Sequence, residues 1–307
     1  MPPSEKASVL RYYHVKDAKL SLTSHLLKHC IVTKYGHVPW LESNISRDSH
    51  GKPCFVPPGE KPLEDQVEFN VSHQAGIVSL IAVVGKSGVK VGTDIVSVNE
   101  RIVNDYRHID KDGFFEWVEI YNEVFAPSEI HFIKLGNFEN LELGGIGNVA
   151  GFGSYTLSRC QWRNQLLELR KGGETVKVDS NLVIDAKLRR FYAMWCLRET
   201  YVKMTGEALL APWLKELEMS DVKVPAVKHG VLPDSLEEGE IIKSFRIHFK
   251  GKLVTDVKME LTALGRDFMI GGAINIPIGV DGSDLEMGTW TQLDLEADVL
   301  AFGKPFL

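Results

Sequence analysis

The chain has 307 residues, of which 25% are charged and 44% hydrophobic, with a formal charge of −6. That is the balance of an ordinary soluble protein with one large core or two modest ones. The acidic excess argues against nucleic acid as the main partner. No apolar run approaches the roughly 18 residues of a membrane span, and MPPSEKASVLRYYH lacks the apolar core of a secretory signal. The cysteines, Cys30, Cys54, Cys160 and Cys196, are scattered without C-x-x-C spacing. They suit buried thiols in a reduced, cytoplasmic setting.

In chain order, residues 8–34 read as a helix, with Leu20, Leu22, Leu26, Leu27, Ile31 and Val32 on its apolar positions. Lys16, Asp17, Ala18 and Lys19 read alone as its solvated start. Residues 46–53 form a polar turn that carries Arg47 and Lys52. Phe69 to Gln74 precedes a Val- and Ile-rich strand, Ile77 to Val84. Gly85 to Gly88 suggests a hairpin turn, with a returning strand from Val89 to Val96. Ser72 and His73 suit contacts to phosphate oxygens, although such a pair alone is also a satisfied loop histidine. On the returning strand Lys90, Gly92, Asp94 and Val96 share one face. Gly92 there admits a ligand or another backbone at close range.

Residues 105–135 read as helical, with Pro127 or Ser128 opening a helix. Residues 136–182 read as a flexible insertion. It contains G-x-G-x-x-A at Gly145, Gly147 and Ala150, but no βαβ pattern surrounds this dinucleotide-type spacing. The stretch 191–215 organises the chain. Leu188, Phe191, Tyr192, Trp195 and Val202 recur at helical steps, and Glu199 falls on their stripe. A carboxylate there needs a partner or a metal. Lys203 one turn on makes an ordinary i,i+4 pair the plain alternative. Runs at Ile242 to Phe249, Val254 to Leu261 and Phe268 to Ile274 suggest an antiparallel meander, and the tail after Pro277 carries no readable pattern.

Trp195-Cys196-Leu197-Arg198-Glu199-Thr200-Tyr201-Val202-Lys203 resembles the W-x-x-K-E-(A/S)-x-x-K motif of 4′-phosphopantetheinyl transferases of the surfactin-synthetase type. Phe69-Asn70-Val71-Ser72-His73 resembles their F-N-x-S-H motif, and Gly92-Thr93-Asp94-Ile95 their G-x-D-(I/V) motif. Gly51-Lys52-Pro53 matches the G-K-P loop, Asp17-Ala18-Lys19 the D-A-K opening of the first helix, and Phe125 to Glu129 an F-(S/T)-x-x-E segment. The likeness runs from about residue 8 to 215, outside the insertion, and is greatest to the large fungal branch. An extra strand usual at the family's N-terminus is absent or very short here.

The resemblance implies an α+β, pseudo-duplicated fold with two similar halves, each a helix on an antiparallel sheet. The halves are placed at 1–104 and 105–307, the second holding the 136–182 insertion. It implies a holo-acyl-carrier-protein synthase that moves phosphopantetheine from coenzyme A to a carrier-domain serine and releases adenosine 3′,5′-bisphosphate. Asp94 and Glu199 are then the ligands of Mg²⁺, with Mn²⁺ the alternative ion. Lys16, Lys19, Arg47, Lys52, Ser72, His73 and Lys203 bind coenzyme A, and Glu199, Lys203 and His73 are catalytic. The implied partners are acyl and peptidyl carrier domains of polyketide synthases, non-ribosomal peptide synthetases and the aminoadipate reductase of lysine biosynthesis. A pseudo-twofold chain is expected to be a monomer. Two departures stand out. Val96 replaces the second acid that many bacterial members carry, and Arg198 replaces the usual lysine. They motivate one alternative, a non-catalytic module of the same fold that binds coenzyme A or a carrier domain.

Overall fold

The computed structural model describes residues 1–57, 59, 62–138, 151–171, 173–207, 211–232, 234–282 and 285–302. Helices α1 (Pro3–Leu10) and α2 (Val15–Tyr35) come first, followed by the short pair β1 (Ile45–Arg47) and β2 (Pro53–Phe55). Strands β3 (Val67–Gln74), β4 (Ile77–Val84) and β5 (Lys90–Ser97) lead to α3 (Ile102–Asp112), α4 (Phe114–Glu119) and α5 (Pro127–Leu135). Next are α6 (Ser154–Arg159), β6 (Leu166–Lys171), β7 (Glu174–Asp179) and the long α7 (Ser180–Thr205). The strands after α7 are β8 (Leu217–Ser220), β9 (Glu238–Ile242), β10 (Arg246–Phe249), β11 (Lys252–Leu253), β12 (Val257–Leu264) and β13 (Phe268–Asn275), with short helical turns before β8 and at 295–302. The architecture is mixed α/β, with helices packed on antiparallel sheets. No described helix is long and apolar enough to cross a membrane.

The expected first helix is two helices, broken at residues 11–14. The expected hairpin between β4 and β5 does not form. Ala75 and Gly76, both at positive φ, make a two-residue turn that pairs β4 with β3 from Val67↔Val84 to Gln74↔Ile77. Strand β5 instead pairs along its whole length with β13, from Lys90↔Asn275 to Ser97↔Phe268. This gives the four-stranded order β5-β13-β12-β9. The expected meander is therefore real for β9, β12 and β13. The run Ile242 to Phe249, however, splits, because β10 leaves to pair with β8 and β11.

Helix α7 starts where the Asp179 carboxylate accepts the Asn181 amide, and ends at Gly206 in the left-handed conformation (φ 84°). It is buried on nearly every side. A Cβ on Gly92 would collide with the Thr200 carbonyl and the Met204 amide, and one on Gly271 with the Thr200 side chain. The missing methyls let helix backbone lie directly on the sheet. Gly271 also makes room for Thr200, which is bulkier than the family's usual residue at that position.

On its other side α7 meets an aromatic cluster. Trp117 and Phe191 are 4.6 Å apart, Tyr121 and Phe191 4.6 Å, and Tyr121 and Trp195 5.6 Å between ring centres. Arg198 belongs to the framework. It is 1% exposed and pairs with Glu129, also 1% exposed, while donating to the Leu214 and Leu217 carbonyls at 2.6 and 2.9 Å. Glu129 accepts from the amides of Ala126 (2.8 Å) and Met219 (2.9 Å). The pair thus joins α7, the start of α5 and β8. It neither faces solvent nor sits beside the site carboxylates.

The insertion is structured over its described part. Helix α6 and the β6–β7 hairpin enclose a small core of Phe152, Leu157, Leu169 and Val178 that reaches Val183 on α7. Lys187, wholly buried, donates to the Leu157 and Cys160 carbonyls at 2.7 and 2.8 Å and fastens α6 to α7. The expected G-x-G-x-x-A segment lies outside the described residues.

Removing one partner of a buried ion pair leaves the other uncompensated. Arg198→Ala is therefore expected to lower the unfolding free energy by about 3–5 kcal/mol. The double variant Arg198→Met/Glu129→Leu should recover most of that loss in a urea titration. A double-variant loss equal to the sum of the Arg198→Met and Glu129→Leu losses would show that the pair has no coupling.

Candidate functional site

The close seat of α7 on β5 and β13 decides which side chains meet. Asp94 stands opposite Gly271 in the sheet, so the space over it is open to the helix. Lys203 reaches across and donates to Asp94 Oδ1 at 2.5 Å and to Ser72 Oγ at 2.8 Å. Ser72 in turn donates to Asp94 Oδ1 at 2.8 Å. Asn70, two residues before Ser72 on β3, accepts the Thr93 amide at 3.0 Å and holds that strand against β5. The sequence supplied Ser72, Asp94 and Lys203 separately, and the fold makes them one hydrogen-bonded cluster.

Trp195, Glu199 and Lys203, spaced four apart, form the least buried line of α7. Glu199 does not form the simple helix pair with Lys203, because that ammonium is held by Asp94. Among the described residues no hydrogen-bond or ion-pair partner meets the Glu199 carboxylate. Its pKa is pushed up to about 7, first by burial and then by the neighbouring Asp94 charge, with Lys203 pulling the other way. The imidazole of His73, adjacent on β3, reaches solvent. Its crowded surroundings and then the Lys203 ammonium lower its pKa, leaving it neutral at pH 7.

Two cavities adjoin the cluster. One of about 540 Å³ is lined by Arg11, His25, Lys28, Arg47 and His73, with serines of α1 and α2 between them. Lys28 is 6% exposed yet has no acidic partner among the described residues. Burial lowers its pKa, with Glu5 raising it and Arg47 lowering it further. A buried, uncompensated ammonium beside two guanidinium groups is an anion site by its chemistry. The second cavity, about 670 Å³, runs from Asp48, Lys52 and Lys90 to Met204 and Thr205 at the end of α7. Lys52 is engaged at its edge by Glu68 (2.5 Å) and the Val91 carbonyl (3.1 Å). Arg47 and Lys52 thus open into different cavities. Lys16 and Lys19 are exposed on α2 and line neither.

Sequence reading did not single out Arg11, His25 or Lys28. A signal was present: Ser21, Ser24, His25 and Lys28 recur at three- and four-residue steps, a polar stripe along α2.

Among the described residues no group of three His, Cys, Asp or Glu side chains is placed to hold a metal. Asp94 and Glu199 are two oxygen donors of like charge at close range, one without a partner. That set fits a hard cation such as Mg²⁺, which needs only one or two carboxylates and keeps waters. Val96 offers no third acid: it is 2% exposed in the main core.

The chain's residues 1–85 match a family model described as 4′-phosphopantetheinyl transferase, N-terminal. A 4′-phosphopantetheinyl transferase of Aureobasidium melanogenum is 41% identical, the alignment covering 98% of this chain and 88% of that protein. For 4′-phosphopantetheinyl transferase 1 of Fusarium mangiferae the identity is 36%, covering 98% and 83%. The L-aminoadipate-semialdehyde dehydrogenase-phosphopantetheinyl transferase of Mus musculus is more distant, 29% identical over 42% of this chain and 43% of that protein.

Glu199 titrates near 7 in the fold and near 4.5 unfolded. The native state therefore holds more protons between those values, and stability falls as pH rises through the window. In EDTA, Glu199→Gln is expected to match the wild type in urea stability at pH 4.5. It should exceed it by up to about 3 kcal/mol at pH 8. A difference that does not change with pH would mean that Glu199 titrates normally.

Proposed function

The chain belongs to the 4′-phosphopantetheinyl transferase family, and from that premise we propose that it modifies acyl and peptidyl carrier domains. The carrier serine oxygen attacks the phosphorus that bears the pantetheine arm of coenzyme A. The bond from that phosphorus to the bridging pyrophosphate oxygen breaks. The products are phosphopantetheinyl-serine and adenosine 3′,5′-bisphosphate, and the serine proton goes to a base. The observation that carries this reading is the hydrogen-bonded cluster of Asp94, Lys203 and Ser72, with Glu199 and His73 beside it, drawn from three separate motifs.

Asp94 and Glu199 hold the Mg²⁺ ion in this reading, with Mn²⁺ as the alternative. When bound, the ion supplies charge neutralisation for the pyrophosphate and its leaving group. Lys203, a flexible point charge now shared by Asp94 and Ser72, donates to phosphate oxygens when these arrive. His73, neutral and solvent-facing, donates a ring N–H to the same group. Glu199, or a water that it orients, is the base that accepts the serine proton in this reading. The cavity lined by Arg47 and Lys28 takes one phosphate end of coenzyme A, and that beside Lys52 takes a further part of the same molecule. Lys16 and Lys19, exposed at the start of α2, meet it as outer charges.

Helix α2 packs on the β3–β4 hairpin, and α7 packs on β5 and on the β12–β13 hairpin. This supports the pseudo-duplicated fold and a boundary near residue 104, with the site between the halves. The departures that favoured a module without turnover are both structural: Val96 lies in the core and Arg198 in the Glu129 pair. We place the protein in the cytoplasm as a monomer. The name of the mouse relative supports an aminoadipate-linked carrier domain as one substrate, and the motif resemblance suggests those of polyketide synthases and non-ribosomal peptide synthetases as others.

An intact-mass assay with coenzyme A, Mg²⁺ and an apo carrier domain is expected to show the phosphopantetheine increment on the carrier. Glu199→Gln should slow that gain by about 10²–10⁴-fold while the chain still binds coenzyme A. No increment on any of several carriers, despite binding, would return the alternative of a module without turnover. Light scattering should give a mass near 34.4 kDa.

A further inference from the structure

The break at residues 11–14 leaves α1 as a helix of eight residues with one buried side chain, Val9. A helix of that length does not hold itself in water. The chain beyond it has no apolar anchor either, because Leu10, Tyr13 and Val15 are 80%, 93% and 70% exposed. The fixed point is polar. Glu5 reaches two histidines of α2, with His29 Nε2 at 2.8 Å and His25 Nδ1 at 3.3 Å. His29 continues the chain of bonds inward. Its Nδ1 lies 2.6 Å from Ser43 Oγ, and Ser43 donates to the Trp40 carbonyl at 2.6 Å. Burial alone would raise the Glu5 carboxyl, but the bonds from His25 and His29 outweigh it and lower its pKa to about 2.

What this latch holds is one wall of the cavity of about 540 Å³. Ser8, Arg11 and Tyr12, from the end of α1 and the link after it, line that cavity together with Lys28, Arg47 and His73. No Asp or Glu is among its described lining residues. Glu5, the acid of α1, is turned instead to the two histidines. Arg11 is exposed, and no acid pairs with it among the described residues. A guanidinium so placed presents a planar fork that matches the oxygens of a phosphate. Lys16 and Lys19, the cations expected from the first-helix motif, line neither cavity. Arg11 is the cation of this segment that does.

We propose that Arg11 is a phosphate-binding residue of the coenzyme A site, carried on a wall that the Glu5 latch holds against α2, and that Glu5 is thereby a positioning residue for substrate binding. This rests on the reading that the cavity takes a phosphate end of coenzyme A. Glu5 does not line the cavity and acts through Arg11. Without its bonds to His25 and His29, α1 leaves α2 and takes Arg11 out of reach of the phosphate, while Lys28 and Arg47 stay in place on α2 and β1.

The test is titration calorimetry of the full chain with coenzyme A and no carrier. Arg11→Ala and Glu5→Ala should each raise Kd by about tenfold, the loss of one charge-assisted hydrogen bond. The double variant Glu5→Ala/Arg11→Ala should match Arg11→Ala alone, because Glu5 acts only through Arg11. Glu5→Gln, which keeps an acceptor for His29, should fall between the wild type and Glu5→Ala. In the carrier assay these variants should show a raised KM for coenzyme A with kcat unchanged, which also shows that they fold. Arg47→Ala checks the cavity separately. If it binds coenzyme A like the wild type, the cavity takes no phosphate, and both that reading and this inference fall. If it weakens binding while Glu5→Ala or Arg11→Ala does not, the inference alone is overturned. The same holds if the Glu5 and Arg11 losses multiply in the double variant.

Discussion

The structure depends on how closely a helix backbone can approach a sheet. A side chain on Gly92 or Gly271 would hold α7 off β5 and β13 by the width of a methyl group. Asp94 is fixed to one surface and Lys203 to the other, and their contact is 2.5 Å. A shift of an ångström or two would turn an ion pair into two separately solvated charges. Both glycines have negative φ, so the need is for space and not for backbone freedom. The Asn70 bond to the Thr93 amide serves the same end from β3, holding Ser72 within reach of Asp94.

Around that contact the protein concentrates charge it does not fully neutralise. Asp94 has one cation, Glu199 has none, and Lys28 in the adjoining cavity has no counter-ion among the described residues. Each is costly in an apolar interior unless a partner arrives. An unpaired carboxylate beside Asp94 and an unpaired ammonium in the adjoining cavity ask for a cation and an anion together. A metal and a polyphosphate satisfy both. By contrast the Arg198–Glu129 pair, equally buried, has each of its side-chain nitrogens and oxygens except Arg198 Nε bonded to backbone or to its partner. It is a fastening. Burial alone does not separate function from framework, but unmet demand does.

The same distinction explains what the sequence could and could not reveal. Asp94, Glu199, Lys203, Ser72 and His73 were legible because each sits in a short motif whose residue types are odd for their pattern. Arg198 was visible as a departure, but its role depends on Glu129, far away in the chain, and on carbonyls of Leu214 and Leu217. No local pattern encodes those. Strand partners were misjudged for a similar reason. Gly85 to Gly88 looks like a hairpin turn, yet the quieter Ala75-Gly76 makes the real one, and β5 finds β13 from the far end of the chain. The insertion hid its core because β6 and β7 alternate a few apolar residues with Glu, Arg and Lys, and because its anchor, Lys187, belongs to α7.

That anchor bears on how the fold tolerates an added segment. A lysine with no acidic partner among the described residues is lowered to about 7 by burial, and two carbonyls at the end of α6 are its hydrogen-bond acceptors. The α7 interior position that an aliphatic residue could have filled is instead given to a group that recognises the insertion's backbone. Packing of Phe152 and Leu157 alone would hold the segment loosely, since apolar contact has no direction. The two lysine bonds fix its rotation about α7. One helix therefore does three jobs along its length: Lys187 orients the insertion, Arg198 ties in α5 and β8, and Glu199 with Lys203 faces Asp94. The spacing of these polar residues along an otherwise buried helix is the plan of the molecule.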